Sequence, residues 1–172
     1  MKRSLVLVLA LVFGASVLSA QMKFGVAGGV TLPQSDFKDA ANTGWEGMGL
    51  IQFATGPVDI RVDATYGMNA FSDALKSIVG SGNFKLFGGN ADVVYNFKME
   101  GTIKPYVLGG VGYYNIGSDV SGSTSESKFA WNAGAGINFN MLFVEARYLS
   151  VATSGSATTF IPIDIGLKFG GK

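Results

Sequence analysis

The sequence predicts an all-β protein, an eight-stranded antiparallel up-and-down transmembrane β-barrel preceded by a cleavable signal peptide. Three observations support this prediction. Hydrophobic residues make up 48% of the 172 residues and charged residues only 15%, whereas a soluble domain usually carries about 25% charge. Beyond residue 20, no apolar run is long enough for a membrane-spanning helix. Instead, residues 21–172 divide into eight segments in which apolar and polar side chains alternate, as in tilted membrane-spanning strands.

The N-terminal residues predict export. Lys2 and Arg3 precede an apolar run, residues 5–13, and small residues follow over 14–20. This layout is typical of a secretory signal peptide, so we expect cleavage after Ala20 and a barrel domain over residues 21–172. An uncleaved N-terminal anchor is the alternative. The remaining part keeps 11 of the 13 basic residues against 12 acidic residues, a balance that gives no reason to expect nucleic-acid binding.

The eight predicted strands differ in how clearly they assign side chains to faces. The third is the clearest, because Val58, Ile60 and Val62 alternate with Asp59, Arg61 and Asp63. The fifth is rich in Gly and Tyr, and its pattern assigns neither face. In chain order, the predicted strands cover residues 23–32, 45–54, 58–68, 84–97, 105–116, 128–139, 142–151 and 160–169.

The predicted connections alternate in length. The short ones cover residues 56–57, 98–104 and 140–141, and the long ones cover residues 33–44, 69–82, 117–127 and 152–159. Outer-membrane barrels have short periplasmic turns and longer external loops. An even number of antiparallel strands also closes without a free edge, which lipid requires because it cannot satisfy exposed backbone groups. The pattern therefore predicts a barrel of the outer membrane.

The apolar face is predicted to face lipid rather than the barrel interior. A soluble barrel, here a periplasmic one, would turn that face inward, and it is the alternative. Aromatic residues near the segment ends favour the membrane, because they resemble the girdles at lipid–water boundaries. We expect Ile161, Ile163 and Ile165 to lie outside for the same reason. The predicted girdle residues are Trp45, Phe53, Tyr66, Phe97, Phe129, Phe139, Tyr148 and Phe169.

Three segments resemble the small outer-membrane β-barrel superfamily, which includes the OmpA-like, OmpX-like and opacity-protein-like barrels. They read KPYVLGGVGYY (104–114), FVEARY (143–148) and IPIDIGLKF (161–169). The resemblance implies insertion in outer-membrane lipid and recognition of the last strand by the barrel-assembly machinery. One feature departs from the family pattern. The terminal strand of such barrels usually ends on an aromatic residue, but here Gly170, Gly171 and Lys172 follow Phe169.

Charged residues on the polar face are predicted to lie in the lumen. An eight-stranded barrel is just wide enough for its interior to be filled by side chains, and buried charges must be paired. We therefore interpret these charges as a network that plugs the lumen; an ion path or a catalytic acid pair is the alternative. The predicted members are Asp59, Arg61, Asp63, Asp92, Glu145, Arg147 and Asp164.

The connection lengths also predict the register of these charges. They place Arg147 directly opposite Asp164, and Arg61 opposite Asp92 on one side and Gln52 on the other. We expect contacts within the Arg147–Asp164 and Arg61–Asp92 pairs, with Asp63 and Glu145 close by, since opposite charges across an antiparallel pair attract. A one-residue slip would turn the charges toward lipid, so the register should be firmly held.

The composition argues against an enzyme. The chain contains no His and no Cys, whereas outer-membrane hydrolases and acyltransferases generally use His as the general base. We expect no cofactor and no metal. In the second external loop, Phe71, Leu75 and Ile78 have helical spacing, which predicts a short surface helix or a partner-binding or gating lid.

Two functions remain open at this stage. The first is a structural and interaction barrel that serves envelope integrity or adhesion through its external loops and contacts a surface ligand. The second is a narrow porin-like transporter for small or hydrophobic solutes. Single-channel conductance would separate them.

Overall fold

A computed structural model describes residues 21–55, 58–120, 125–152 and 157–171. Eight strands form one closed barrel in which each strand pairs with its sequence neighbours and the last pairs with the first, all of them antiparallel. The predicted fold class is confirmed, and every predicted strand overlaps an observed one. The strands are β1 (Gln21–Gln34), β2 (Gly44–Ala54), β3 (Val58–Ala70), β4 (Asn83–Asn96), β5 (Ile103–Ser118), β6 (Glu126–Phe139), β7 (Leu142–Ala152) and β8 (Ala157–Gly170).

Two short helices lie in the connections at one end of the barrel. Helix α1 (Phe37–Ala40) is part of the first external loop, residues 35–43, and α2 (Asp73–Val79) is part of the second, residues 71–82. Ser72 caps α2, since its Oγ accepts a hydrogen bond from the backbone N–H of Leu75 at 3.2 Å. Within the described residues, no helix is long and apolar enough to cross a membrane.

Two predictions fall outside the described part of the chain. The signal peptide with its cleavage site at Ala20 occupies residues 1–20, and the two-residue turn occupies residues 56–57. The signal peptide therefore remains a prediction. The pairing on either side of the turn is described, and it places Ala54 opposite Asp59, as a two-residue connection requires.

The apolar face of the barrel lies outside, as predicted. Ile163 and Ile165 are exposed on the outer surface, and Ile161 is partly exposed there. Pairs of aromatic residues lie on the same surface. For example, the ring centroids of Trp45 and Tyr66 are 6.0 Å apart. The alternation of each strand decides this arrangement, because neighbouring side chains point to opposite faces. An apolar outer face of this kind suits lipid and not water.

The predicted register is correct on one side of the barrel and wrong on the other. Arg61 pairs with Asp92 on β4 and with Gln52 on β2, as predicted. On β8, however, Asp164 pairs with Glu145 instead of Arg147. The reason is that β8 begins at Ala157, three residues before its predicted start, whereas β7 ends at Ala152, only one residue after its predicted end. The resulting shift of two residues keeps Arg147 and Asp164 inside the barrel but separates them.

Strand β5, which the sequence left unassigned, contributes large side chains to the interior. Tyr106, Leu108 and Tyr114 are buried there, while Val107, Val111 and Tyr113 face outward. Glycines opposite these positions leave the space that the side chains fill. Gly136 lies opposite Tyr106, and a Cβ atom on it would lie 2.5 Å from Cζ of that ring, so no larger residue fits there. Tyr106 and Leu108 form an apolar cluster with Val94 in this part of the interior.

Candidate functional site in the barrel lumen

A network of buried charges crosses the centre of the lumen. Arg61 on β3 donates hydrogen bonds to both carboxylate oxygens of Glu145 on β7, each at 2.8 Å. Its guanidinium also lies 3.6 Å from Asp92 and 3.7 Å from Asp63. Strands β3 and β7 are four places apart in a ring of eight and so form opposite walls. The bidentate pair between Arg61 and Glu145, a strong geometry for a charged hydrogen bond, thus joins the two sides of the barrel.

Arg147 completes the network from the second wall. Its Nη1 donates to Asp63 at 3.0 Å and lies 3.5 Å from Asp92, and its Nε donates to Glu145. Two cations therefore face three carboxylates, and none of these five side chains is more than 5% exposed. The predicted contact between Arg61 and Asp92 is present. The predicted contact between Arg147 and Asp164 is wrong, because the observed register gives Arg147 other carboxylates.

Neutral side chains satisfy the remaining acceptors of these carboxylates. Each of the three acids receives a hydrogen bond from an amide or a phenol in addition to its contact with an arginine, as a buried charge requires. Sequence reasoning missed the phenol, because the faces of β5 could not be assigned. The bonds run from Tyr106 to Glu145 at 2.6 Å, from Asn132 to Asp92 at 2.8 Å and from Asn90 to Asp63 at 2.8 Å.

The other two predicted lumen charges point inward but lie outside this network. Asp59 accepts hydrogen bonds from Gln52 at 2.6 Å and from Asn96 at 2.9 Å. The carboxylate of Asp164 is buried and accepts no hydrogen bond from an N–H group among the described residues; its hydrogen-bond neighbour is the carboxyl group of Glu46. Glu46 on β2 is also buried in the lumen. Its place on the polar face of β2 was visible in the sequence, but it was not singled out as a lumen charge.

Aromatic side chains fill the external mouth. The rings of Phe71 and Phe84 are 4.7 Å apart, and the ring of Phe37 lies 5.3 Å from Phe84. The prediction that Phe71 is an external contact residue is wrong, because Phe71 precedes the helix, bridges to Ala41 and is only 2% exposed. Leu75 is partly buried, whereas Ile78 is 79% exposed.

Hydrogen bonds hold the first two external loops together above this aromatic layer. Asn69 donates to the carbonyl oxygen of Asn42 at 2.9 Å and accepts from Thr31 at 3.0 Å. Ser72 donates to the carbonyl oxygen of Asp39 at 2.6 Å. The loops are therefore folded over the mouth and fixed to each other.

A further contact fixes the start of the third external loop. The carboxylate of Asp119 accepts hydrogen bonds from the side-chain and backbone N–H groups of Asn83 at 2.9 and 2.6 Å. These two bonds lower the pKa of Asp119 below its usual value, because they stabilise the charged form.

The opposite end of the barrel contains an open cavity of about 800 Å³. Lys168 lies in its wall, donates a hydrogen bond to Asn138 at 3.0 Å, and places its ammonium 4.6 Å from the ring centroids of Tyr106 and Phe143. Within the described ranges, no group of three His, Cys, Asp or Glu side chains is arranged to hold a metal ion.

The sequence matches the family of outer membrane protein β-barrel domains over residues 5–169. The chain belongs to this family. Membership agrees with the closed barrel and its apolar exterior, and it places the protein in the outer membrane. The comparison with curated proteins gives no match.

Several solved structures share the fold. Neisserial surface protein A is 14% identical with a TM-score of 0.69, covering 87% of this chain and 97% of that one. The Yersinia pestis attachment invasion locus protein Ail, in complex with the heparin analogue sucrose octasulfate, is 16% identical with a TM-score of 0.52 and the same coverage. The outer membrane enzyme PagL is 17% identical with a TM-score of 0.53, covering 86% and 98%. At these identities the likeness concerns the fold alone.

Proposed function

We propose that the protein is a plugged outer-membrane barrel that acts as a structural and interaction protein through its external loops. The central network is the observation that carries this proposal. Arg61 and Arg147 connect opposite walls and are almost fully buried between three carboxylates. A solute that crossed the lumen would have to separate these pairs, and breaking a buried ion pair costs roughly 3–5 kcal/mol. This supports a closed lumen.

The external end supports a role in contacts with a surface partner. Ile78 and Val79 of α2 are 79% and 49% exposed, and they project from loops that hydrogen bonds fix to the barrel. Loops held on a rigid scaffold commonly carry binding function. We therefore assign the contact to a partner with a complementary apolar surface, and α2 is the part of the barrel that would meet it.

The charges of the external end do not favour a sulfated ligand of the kind bound to Ail. The five acidic residues there outnumber the four lysines, and a polyanion would require a basic excess. These residues are Asp36, Asp39, Asp73, Asp119 and Glu126 on the acidic side, and Lys38, Lys76, Lys85 and Lys128 on the basic side.

We further propose that the barrel has no catalytic activity. PagL is an enzyme with a similar fold, but this chain has no His to serve as a general base. The lumen acids Asp63 and Glu145 are each bonded to an arginine, which suits a structural role. Turnover of lipid or peptide substrates that disappears in Asp63→Asn or Glu145→Gln would contradict this.

Conductance in planar lipid bilayers tests the plug. Protein extracted from outer membranes should insert without producing current steps, and flotation with vesicles confirms that it has inserted. The double variant Glu145→Ala/Arg147→Ala removes side chains from the centre and should produce steps. Reproducible steps from the wild-type protein would instead support the narrow transporter.

An adhesion assay tests the external loops. Bacteria that produce the Ile78→Asp variant should adhere to target cells less than bacteria that produce the wild type. Lys76→Ala, on the same helix, is the matched control. Equal adhesion of wild type and Ile78→Asp would remove the support for α2 as the contact surface.

A further inference from the structure

Three acidic side chains lie in one cross-strand row of the lumen wall. Glu145 on β7 pairs with Asp164 on β8. Gly29 on β1 follows in the row, and it pairs with Asp164 on one side and with Glu46 of β2 on the other. Each of the three acids is at most 5% exposed. Like charges placed side by side destabilise a sheet, so this row requires either cations or protons.

The two arginines of the lumen contact only one of these three acids. Glu145 accepts hydrogen bonds from both Arg61 and Arg147. Among the described residues, neither Glu46 nor Asp164 forms an ion pair, and the carboxylate of Asp164 accepts no hydrogen bond from an N–H group. A buried carboxylate without a cation or a donor is costly, so the charge of this pair needs another explanation.

Gly29 allows the carboxyl groups of Glu46 and Asp164 to meet. Neighbouring strands lie about 4.8 Å apart, so β2 and β8 are separated by about 10 Å across β1. The side chains cross this gap above Gly29, where a Cβ atom would lie 2.5 Å from Oδ1 of Asp164. The carboxyl groups of Glu46 and Asp164 are hydrogen-bond neighbours there. Ionised carboxylates only accept hydrogen bonds, so a hydrogen bond between these two groups requires a proton on one of them.

The charged groups around the pair do not neutralise it. Strand β3 contributes Asp63, and β7 contributes Glu145 and Arg147. Arg147 attracts the pair, but it is already bonded to Asp63 and Glu145. The lysines of the two remaining strands, Lys23 on β1 and Lys168 on β8, line the cavity at the other end of the barrel. Two ionised carboxylates at this position would therefore add uncompensated negative charge to the lumen.

We propose that Glu46 and Asp164 form a proton-binding site, in which the two carboxyl groups share one proton at neutral pH. Both carboxylate oxygens of Asp164 are closed to solvent, and a proton needs no space beyond the hydrogen bond itself. The proton belongs to the pair and not to either residue alone. Its loss at alkaline pH leaves Glu46, Asp164 and Glu145 as three ionised neighbours, so the site makes the stability of the barrel sensitive to pH. The site goes beyond the proposed function, because it depends neither on the external loops nor on whether the lumen conducts.

Infrared spectroscopy of protein extracted from outer membranes into a detergent without carbonyl groups detects the bound proton. A protonated carboxyl group has a C=O stretching band that carboxylates lack. The wild type should show this band at neutral pH. Glu46→Gln and Asp164→Asn should each lose the intensity of one carboxyl group, because the new amide donates to the remaining carboxylate without a proton.

A matched control and two outcomes decide this test. Glu126→Gln makes the same substitution at an exposed carboxyl group of the external end and should keep the full band. Absence of the band from the wild type, or an unchanged band in Glu46→Gln, would overturn the proposal.

Urea unfolding at several pH values gives an independent measurement. The carboxyl groups of the unfolded chain are ionised above about pH 5, whereas the folded wild type keeps the shared proton. Because the folded state then binds one more proton, the equilibrium constant of unfolding should rise with pH, by about tenfold per pH unit for this proton.

Glu46→Gln lacks this proton, so its unfolding constant should depend on pH less steeply than that of the wild type, by about tenfold per unit. Glu126→Gln should follow the wild type. Equal pH dependence of the wild type and Glu46→Gln would refute the shared proton. Heat-dependent migration in gel electrophoresis verifies the fold of each variant, and the infrared band of the wild type tests the proposal without any variant.

Discussion

Replacement of Arg61 by methionine tests how much the central network contributes to stability. Methionine approximates the length of the side chain but removes the two hydrogen bonds to Glu145 and the charge beside Asp63 and Asp92. Three buried carboxylates then share only Arg147. Removing one partner of a buried ion pair usually costs about 3–5 kcal/mol, so we expect the free energy of unfolding to fall by that amount.

Urea unfolding in detergent micelles measures this change, with the fluorescence of Trp45 and Trp131 as the signal. Both tryptophans lie on the lipid-facing surface, so their emission should shift when the barrel opens. Lys76→Met, which removes an exposed ion pair with Asp73, is the control and should cost at most about 1 kcal/mol.

A double-mutant cycle with Glu145→Met completes the test. The double variant Arg61→Met/Glu145→Met removes a cation together with its anion, so it should be less destabilised than the sum of the single variants. A coupling of about 0.5–3 kcal/mol is expected for residues in direct contact. If Arg61→Met unfolds within about 1 kcal/mol of the wild type, the range of an exposed pair, the network does not stabilise the barrel and the reasoning fails.

Three further predictions concern the wall and the loops. Gly110→Val should prevent folding, because the Cβ atom of the new side chain would lie 2.2 Å from a backbone oxygen. Gly49→Ala should fold, since a Cβ atom at that position meets nothing within 4 Å. Heat-dependent gel migration distinguishes the folded variant from the unfolded one. Asn69→Ala should lower the free energy of opening of the first external loop by about 1–3 kcal/mol, so amide hydrogen exchange in that loop should be faster. Unchanged exchange would refute this prediction. The Asp119 contact should be complete above the ordinary pKa of about 3.9 and lost as the pH falls through the lowered value; the amide shift of Asn83 reports it, and a midpoint at or above 3.9 would contradict it.

The sequence alone determined the strands, the faces of all of them except β5, and most of the lumen charges. The reason is that a strand has a period of two residues, so a segment such as β3, with Asp59 and Arg61 each between valine and isoleucine, indicates which side chains turn inward. A two-residue turn also leaves little freedom of pairing, and the register of Gln52 with Arg61 was correct for that reason.

Only the tertiary structure decided most of the contacts between these charges. The ladder between β7 and β8 extends to Ala157, and nothing local in a Ser- and Gly-rich connection marks where pairing stops. The strongest bond, from Arg61 to Glu145, joins residues 84 positions apart on opposite walls, and no adjacent-strand rule predicts a contact across the lumen. The sequence did not predict that Tyr106 belongs to the network, because glycines on both faces of β5 obscure the alternation of that strand. The period of a strand is a property of the local backbone, whereas contacts across the lumen depend on closure of the barrel, which brings side chains together from strands that never pair.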